Sequence, residues 1–582
     1  MSRMKFLCTV ILLTGIAAMA PRAGAQATLK VMIAGASGAW QALGVGTYKD
    51  GVCPTGSAAG CRHYTNGSFS LTDTRPTLPA FGQPAVTDGG AIWIVWDNAN
   101  ADPTCATSCN VWAYIKVDSI VGNRCYFARP RCVVTSPSPF PAPSNSIAAA
   151  IWGADTAPPA PVQALFTTGR SVNVASTEIR PEDALFAQCR INSAAGGGSD
   201  GVNGLGLGVN ASSVCPAFGS NYAHLAGTDL VSAYPGSTST AHPLAFNISG
   251  KDPFSGTAIT PAFSTVNVGA YPLIFITNRQ GALANVKDAT LQQLQAAFSG
   301  ADCRGSVFSG GAATAINVYS REPLSGTMNT AEYSALRLPR DSSGNYDTVN
   351  GSSQEIGLTG IEPVNGVACG AGGKRYQPIG TGEEVNFVKN SNTNFGVDGI
   401  GYAFFSYGNV SGIASNANYA YLTINGVDPL FHVYGSTYDP GQPANPGNLP
   451  GVADLPAACA GGFPCTEAQI WKGGESFPNL RNGSYRQWAM IRLVGDGAAL
   501  TNAKALVTST QASVVSKVPD FVPAAASAPD KGLQLLRSHY TQSSVVPNNT
   551  TEKGGEEGGC ILAAGDTSTK LVMRATGCVV GP

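Results

Sequence analysis

A short apolar strand that breaks into an arginine and then a Ser-Gly-Thr corner constrains this chain more than any other stretch. Residues 316–330 read Ile-Asn-Val-Tyr-Ser-Arg-Glu-Pro-Leu-Ser-Gly-Thr-Met-Asn-Thr. Ile316, Val318 and Tyr319 predict a buried strand that Pro323 stops, and residues 329–336 carry helix formers. Ser325, Gly326 and Thr327 then stand at a helix entrance, where backbone N–H groups lack intrahelical partners and where anions bind. Gly326 admits close backbone approach, Ser325 and Thr327 add hydroxyls, and Arg321 adds a planar fork suited to a tetrahedral oxyanion. An ordinary helix cap beside a surface arginine fits the same residues, so two readings stand.

The neighbouring segments narrow the choice. A strand pattern at Tyr271–Asn278 is followed by a helical run at Ala289–Gly300, the Arg321 motif, and a strand pattern at Ile400–Tyr407. In this order the chain resembles the phosphate-binding proteins of ABC importers, members of the type II periplasmic binding-protein fold. That family carries a strand, a hook helix ending in a phenylalanine-small-glycine phrase, an Arg-x-x-x-Ser-Gly-Thr anion loop and an Ile-Gly-Tyr strand. The resemblance is clear from 271 to 407 and patchy elsewhere. It implies an α/β, two-lobe type II periplasmic binding-protein fold with cysteine-rich loop insertions, phosphate or a related oxyanion as ligand, and an ABC permease as partner.

The resemblance also implies ligand residues in the other lobe. The first strand, Thr28–Ala34, opens onto Gly-Ala-Ser-Gly, which puts Ser37, Gly38 and Ala39 forward; a plain strand-to-helix turn is the alternative. Asp118–Arg124 stands where the family has a Ser-Gly-rich anion loop, which brings in Ser119 and Arg124, with a solvated turn and a structural ion pair as alternatives. Where the family has Gly-Ala-Ser-Asp, this chain has Ala175-Ser176-Thr177-Glu178, so Ser176 and Thr177 are candidates and the carboxylate is displaced to Glu178. A carboxylate facing a dianion favours one that brings a proton to share, such as hydrogen phosphate, over sulfate. A salt bridge to Arg180 is the competing role for Glu178.

The first 25 residues have a basic start, an apolar run from Phe6 to Ala20 and a small-residue Ala-Gly-Ala phrase at 23–25, the pattern of a signal peptide. Removing them leaves fourteen of fifteen cysteines, an even number suited to an oxidising periplasmic or extracellular space. Spacing suggests neighbours as partners: Cys53 with Cys61, Cys105 with Cys109, Cys125 with Cys132, Cys189 with Cys215, Cys303 with Cys369, Cys459 with Cys465, and Cys560 with Cys578. A metal site is a poor competitor, since there is no Cys-x-x-Cys pair and the five histidines are scattered. The net charge of −1 and 12% charged residues remove the electrostatic case for nucleic acid, and no later segment is long and apolar enough for a transmembrane span.

The expected layout is a signal peptide at 1–25, the first part of lobe 1 with insertions at 26–260, lobe 2 at 261–408, the second part of lobe 1 at 409–550, and a disulfide-stapled tail at 551–582. Strands at Tyr419–Asn425 and Tyr485–Val494 are assigned to lobe 1, with closing helices at 503–518 and 532–539. No cofactor and no catalytic residue is expected. The Gly-x-Ser-x-Gly match around Ser199 has no strand before it or helix after it, and the histidines, His63 among them, have no evident partner. Besides phosphate capture for ABC-type uptake, the sequence leaves one alternative: a secreted structural or adhesive protein on the same scaffold without a ligand.

Overall fold

The computed structural model describes residues 26–49, 52, 61–73, 86–97, 104–105, 108–127, 130–178, 263–321, 325–336, 366–378, 380–406, 409, 419–430, 477–481, 484–516, 520–523 and short strands at 535–536, 560–561, 571–574 and 577–580. The leader, the insertion at 192–262, Pro323, Arg180, Ser199 and the side chain of Arg124 lie outside the described residues.

The first lobe is built on β1 (Gln26–Gly35), β2 (Arg62–Asp73), β3 (Val86–Trp96) and β4 (Ser108–Lys116), followed by β5 (Val133–Thr135), β6 (Arg170–Ser171) and β7 (Val174–Thr177). β1 pairs in parallel with β4 on one side and β7 on the other. Such a central parallel strand is covered on both faces, which is why Val31, Met32, Ile33 and Ala34 are all buried. Val31 and Ile33 join one apolar cluster with Trp40 and Leu43 of α1 (Trp40–Lys49). Met32 and Ala34 join the opposite one, with Ile120 and Val121 of α2 (Ser119–Phe127) and Val162 and Phe166 of α3 (Ala160–Thr167). β3 pairs antiparallel with β4, and the segment 118–124, expected as an anion loop, is mostly helix.

The second lobe begins on β8 (Ser264–Asn278), which precedes β9 (Asp288–Ala289), the hook helix α4 (Leu291–Phe298) and β10 (Ile316–Tyr319). Thr290 caps α4 by accepting from the Gln293 N–H at 3.2 Å, while Gln293 Oε1 accepts from the Thr290 N–H. α5 (Gly326–Ala331) continues through 332–336 as a wider, π-type turn. There follow β11 (Val367–Ala368), β12 (Lys374–Tyr376), α6 (Thr381–Phe395), β13 (Asp398–Phe404), β14 (Tyr419–Tyr421) and β15 (Thr423–Ile424). The chain then returns through β16 (Trp488–Gly495), α7 (Gly497–Ser516) and β17 (Val522–Pro523).

One sheet runs through both lobes in the order β11-β12-β10-β13-β8-β16-β7-β1-β4-β3-β2-β5-β6, with β14 and β17 also on β8. β8 joins the halves: it pairs with β16 over residues 264–272 and with β13 over 273–277. The fold is thus α/β and two-lobed with one large sheet. Two expectations are corrected. Tyr419–Tyr421, assigned to lobe 1, pairs with 276–278 of β8 on the edge opposite β13, because the chain stays on the lobe it has just built. Leu535–Leu536, expected in a closing helix, pairs as strand with Cys560–Ile561, apolar run against apolar run.

Three expected disulfides are present, Cys105–Cys109, Cys125–Cys132 and Cys303–Cys369. Cys61 is disulfide-bonded as well. The pairing of Cys53, Cys189, Cys215, Cys459, Cys465, Cys560 and Cys578 falls outside the described side chains.

Candidate functional site

The parallel strands of both lobes end at one place. In lobe 1 the register aligns Lys116 of β4, Gly35 of β1 and Ser176 of β7, so the turns leaving them, at 117–119, 36–39 and 177–178, emerge side by side. Gly35 is required there: φ is +139°, and a Cβ would lie 1.9 Å from the Ser176 carbonyl oxygen. In lobe 2, Tyr319 of β10 aligns with Tyr376 of β12, and their exits carry Arg321 and Thr381. Carboxyl ends of parallel strands facing a crevice are where α/β folds hold ligands.

Arg321 is buried to 0% exposure at this junction. Its Nη2 donates to Asp118 Oδ1 of lobe 1 at 2.7 Å and its Nη1 to Thr381 Oγ1 at 2.6 Å, with Glu384 Oε2 at 4.0 Å from Nε. Its backbone N–H donates to the Tyr402 hydroxyl at 3.1 Å, and Glu384 Oε1 accepts from the Tyr402 N–H at 2.9 Å. Thr381 also meets Ser37 Oγ of lobe 1 at 3.3 Å. The surface-arginine reading of Arg321 is therefore excluded.

The Ser-Gly-Thr corner opens α5 as the sequence suggested, with one refinement. Ser325 Oγ accepts from the N–H groups of Thr327 and Met328 at 3.1 and 3.3 Å, so the serine caps the helix and takes two of the amides expected to be open. Gly326 faces lobe 1: a Cβ on it would lie 2.2 Å from Glu178 Oε2 and 2.7 Å from Ser119 Oγ. Only glycine permits that approach. Ser119, Ser176, Glu178, Ser325 and Thr327 are all buried, and Ser119 Oγ has no hydrogen-bond partner among the described residues.

Two candidates from lobe 1 sit differently from expectation. Thr177 follows Ser176 on a strand whose side chains alternate, and its Oγ1 accepts from Asn123 Nδ2 of α2 at 3.0 Å, so it is held against that helix and not at the corner. Ala39 packs its methyl in the apolar core, so only its backbone could serve a ligand. Gly38 lies between: a Cβ there would come within 2.9 Å of Ile491. Asp118, Thr381, Glu384 and Tyr402 were missed. Asp118 immediately precedes Ser119, and Thr381-Gly-Glu-Glu opens a helix just after a strand, the same signal that identified Ser325.

Electrostatics at the junction follow from burial. Burial pushes the Tyr114 hydroxyl well above the tyrosine range, and the Glu178 carboxylate adds to that shift. The Tyr114 hydroxyl donates to the Ala36 carbonyl, tying β4 to the turn that carries Ser37. Elsewhere His63, expected to lack a partner, has Nδ1 at 3.0 Å from Asp155 Oδ1 and stacks on Trp152. Asp155 Oδ2 also accepts from the Thr65 and Asn145 N–H groups, so the cluster fastens the 144–156 loop to β2. No group of three metal-ligating side chains occurs among the described residues, and no described helix is long and apolar enough to cross a membrane.

No protein-family model and no curated protein matches the sequence. Among solved structures, the chain is similar to a phosphate-binding protein from Stenotrophomonas maltophilia at 15% identity, covering 85% of this chain and 90% of that one with a TM-score of 0.33. It is also similar to a human phosphate-binding apolipoprotein at 12% identity, covering 84% and 90% with a TM-score of 0.31. An ABC-type phosphate transport receptor from Vibrio cholerae aligns at 14% identity over 44% and 72% with a TM-score of 0.23.

Proposed function

We propose that the chain is a secreted or periplasmic solute-binding protein that captures phosphate or a related tetrahedral oxyanion between its lobes, without chemistry on the ligand, and delivers it to an ABC permease. The observation that carries this reading is that lobe 2 meets lobe 1 here through two features, a buried arginine on Asp118 and a glycine-centred helix entrance beside Ser119 and Glu178. A fork, hydroxyls and a carboxylate in one dry place suit an oxyanion that carries a proton. The leader pattern and the disulfides support export.

One observation favours the alternative of a ligand-free structural scaffold: Asp118 and Thr381 already engage the guanidinium. An entering anion would have to share or displace these contacts. Titration calorimetry with phosphate, arsenate and sulfate separates the readings. Wild type is expected to bind phosphate, and Arg321→Ala to bind it at least a hundredfold more weakly; absence of heat from the wild type with every oxyanion would favour the scaffold.

A further inference from the structure

Between the lobes lies an open cleft of about 360 Å³, bordered by Ser37, Lys116, Asp118, Thr381, Gly382 and Asn409. A bare tetrahedral oxyanion has the bulk of about two waters, roughly 60 Å³. The cleft instead falls in the range of small-molecule sites, about 300–1,000 Å³. Asp118 and Thr381 border it and also bond Arg321, so the space adjoins the guanidinium.

Its wall holds one cation. Lys116, at the carboxyl end of β4, has Nζ 4.7 Å from the centre of the Trp40 ring and forms no ion pair or side-chain hydrogen bond among the described residues. Burial lowers its pKa, which reflects the cost of an ammonium with no anion beside it. Opposite, Gly382 in the first turn of α6 is exposed, and a Cβ there would meet nothing within 4 Å. The walls thus leave room for an organic group and supply a positive charge for a second acidic one.

We infer that the ligand is a phosphomonoester bearing a carboxylate, with its phosphate at the Arg321 corner, its carbon chain in the cleft and its carboxylate on Lys116. This rests on the oxyanion reading and adds the substrate class. The full chain is tested by calorimetry with 3-phosphoglycerate, glycerol 3-phosphate and inorganic phosphate. Wild type is expected to bind 3-phosphoglycerate at least tenfold more tightly than glycerol 3-phosphate, and Lys116→Met to abolish that difference. Gly382→Leu, which fills the cleft from a helical position, is expected to weaken both esters at least tenfold while phosphate stays within twofold. Binding of inorganic phosphate with exclusion of both esters would overturn the inference and leave the receptor reading intact. Ester binding indifferent to both substitutions would also overturn it. Failure of all three compounds to bind would overturn both readings.

Discussion

Arg321 has 0% exposure and faces two carboxylates, Asp118 at 2.7 Å and Glu384 at 4.0 Å. Removing one partner of such a group leaves the others buried without it, which costs about 3–5 kcal/mol. Arg321→Ala is therefore expected to lower the unfolding free energy by about 3 kcal/mol in urea denaturation without ligand, Asp118 being partly solvated. Adding Glu384→Gln should recover at least about 1 kcal/mol of it, since the two sites are coupled. Glu178 supports a different expectation. With no proton to share, sulfate meets repulsion from this carboxylate, so Glu178→Gln is expected to narrow the preference for phosphate over sulfate at least tenfold in competition binding. An unchanged ratio would mean that the carboxylate does not face the anion. At this scale, residues within one strand-turn-helix unit were legible, because Arg321, Ser325 and Gly326 carry their chemistry in local spacing. Asp118 and Thr381 were not, since they meet Arg321 across 203 and 60 residues of chain, a proximity that no local pattern encodes.

Elements were legible where burial alone dictates the pattern. The strand patterns at Tyr271–Asn278 and Ile400–Tyr407 and the hook helix between them formed where periodicity placed them. Partner choice was less so: Tyr-Ala-Tyr at 419–421 reads as a strand in either lobe, and only its pairing with β8 assigns it. The joint between β1 and β7 gives the sharpest test. Gly35 has φ at +139° and its missing Cβ would overlap the Ser176 carbonyl, so Gly35→Ala must both strain the backbone and push β7 away. A loss of about 3 kcal/mol or more is expected, placing it in the severe tail of point substitutions. Since Ser176 rides on β7 and Glu178 directly follows it, the same variant should weaken phosphate binding in calorimetry, which a purely local strain would leave alone.

For the whole molecule, the large sheet matters more than either lobe. β8 contributes to both halves, changing partners between Pro272, which faces Trp488, and Leu273, which faces Phe404. The Leu273 N–H still donates to Gln487 O at 2.7 Å, and Pro272 O accepts from the Phe405 N–H at 2.9 Å. Proline has no amide proton to contribute to the ladder. A shared strand couples the halves thermodynamically, so scanning calorimetry is expected to record one endotherm for the described body; two resolved peaks would contradict that coupling. The same strand also locates the pivot. Because Pro272 brings no amide proton to the ladder at the point where pairing passes from β16 to β13, any opening and shutting of the mouth should bend the chain there, as a book bends at its spine.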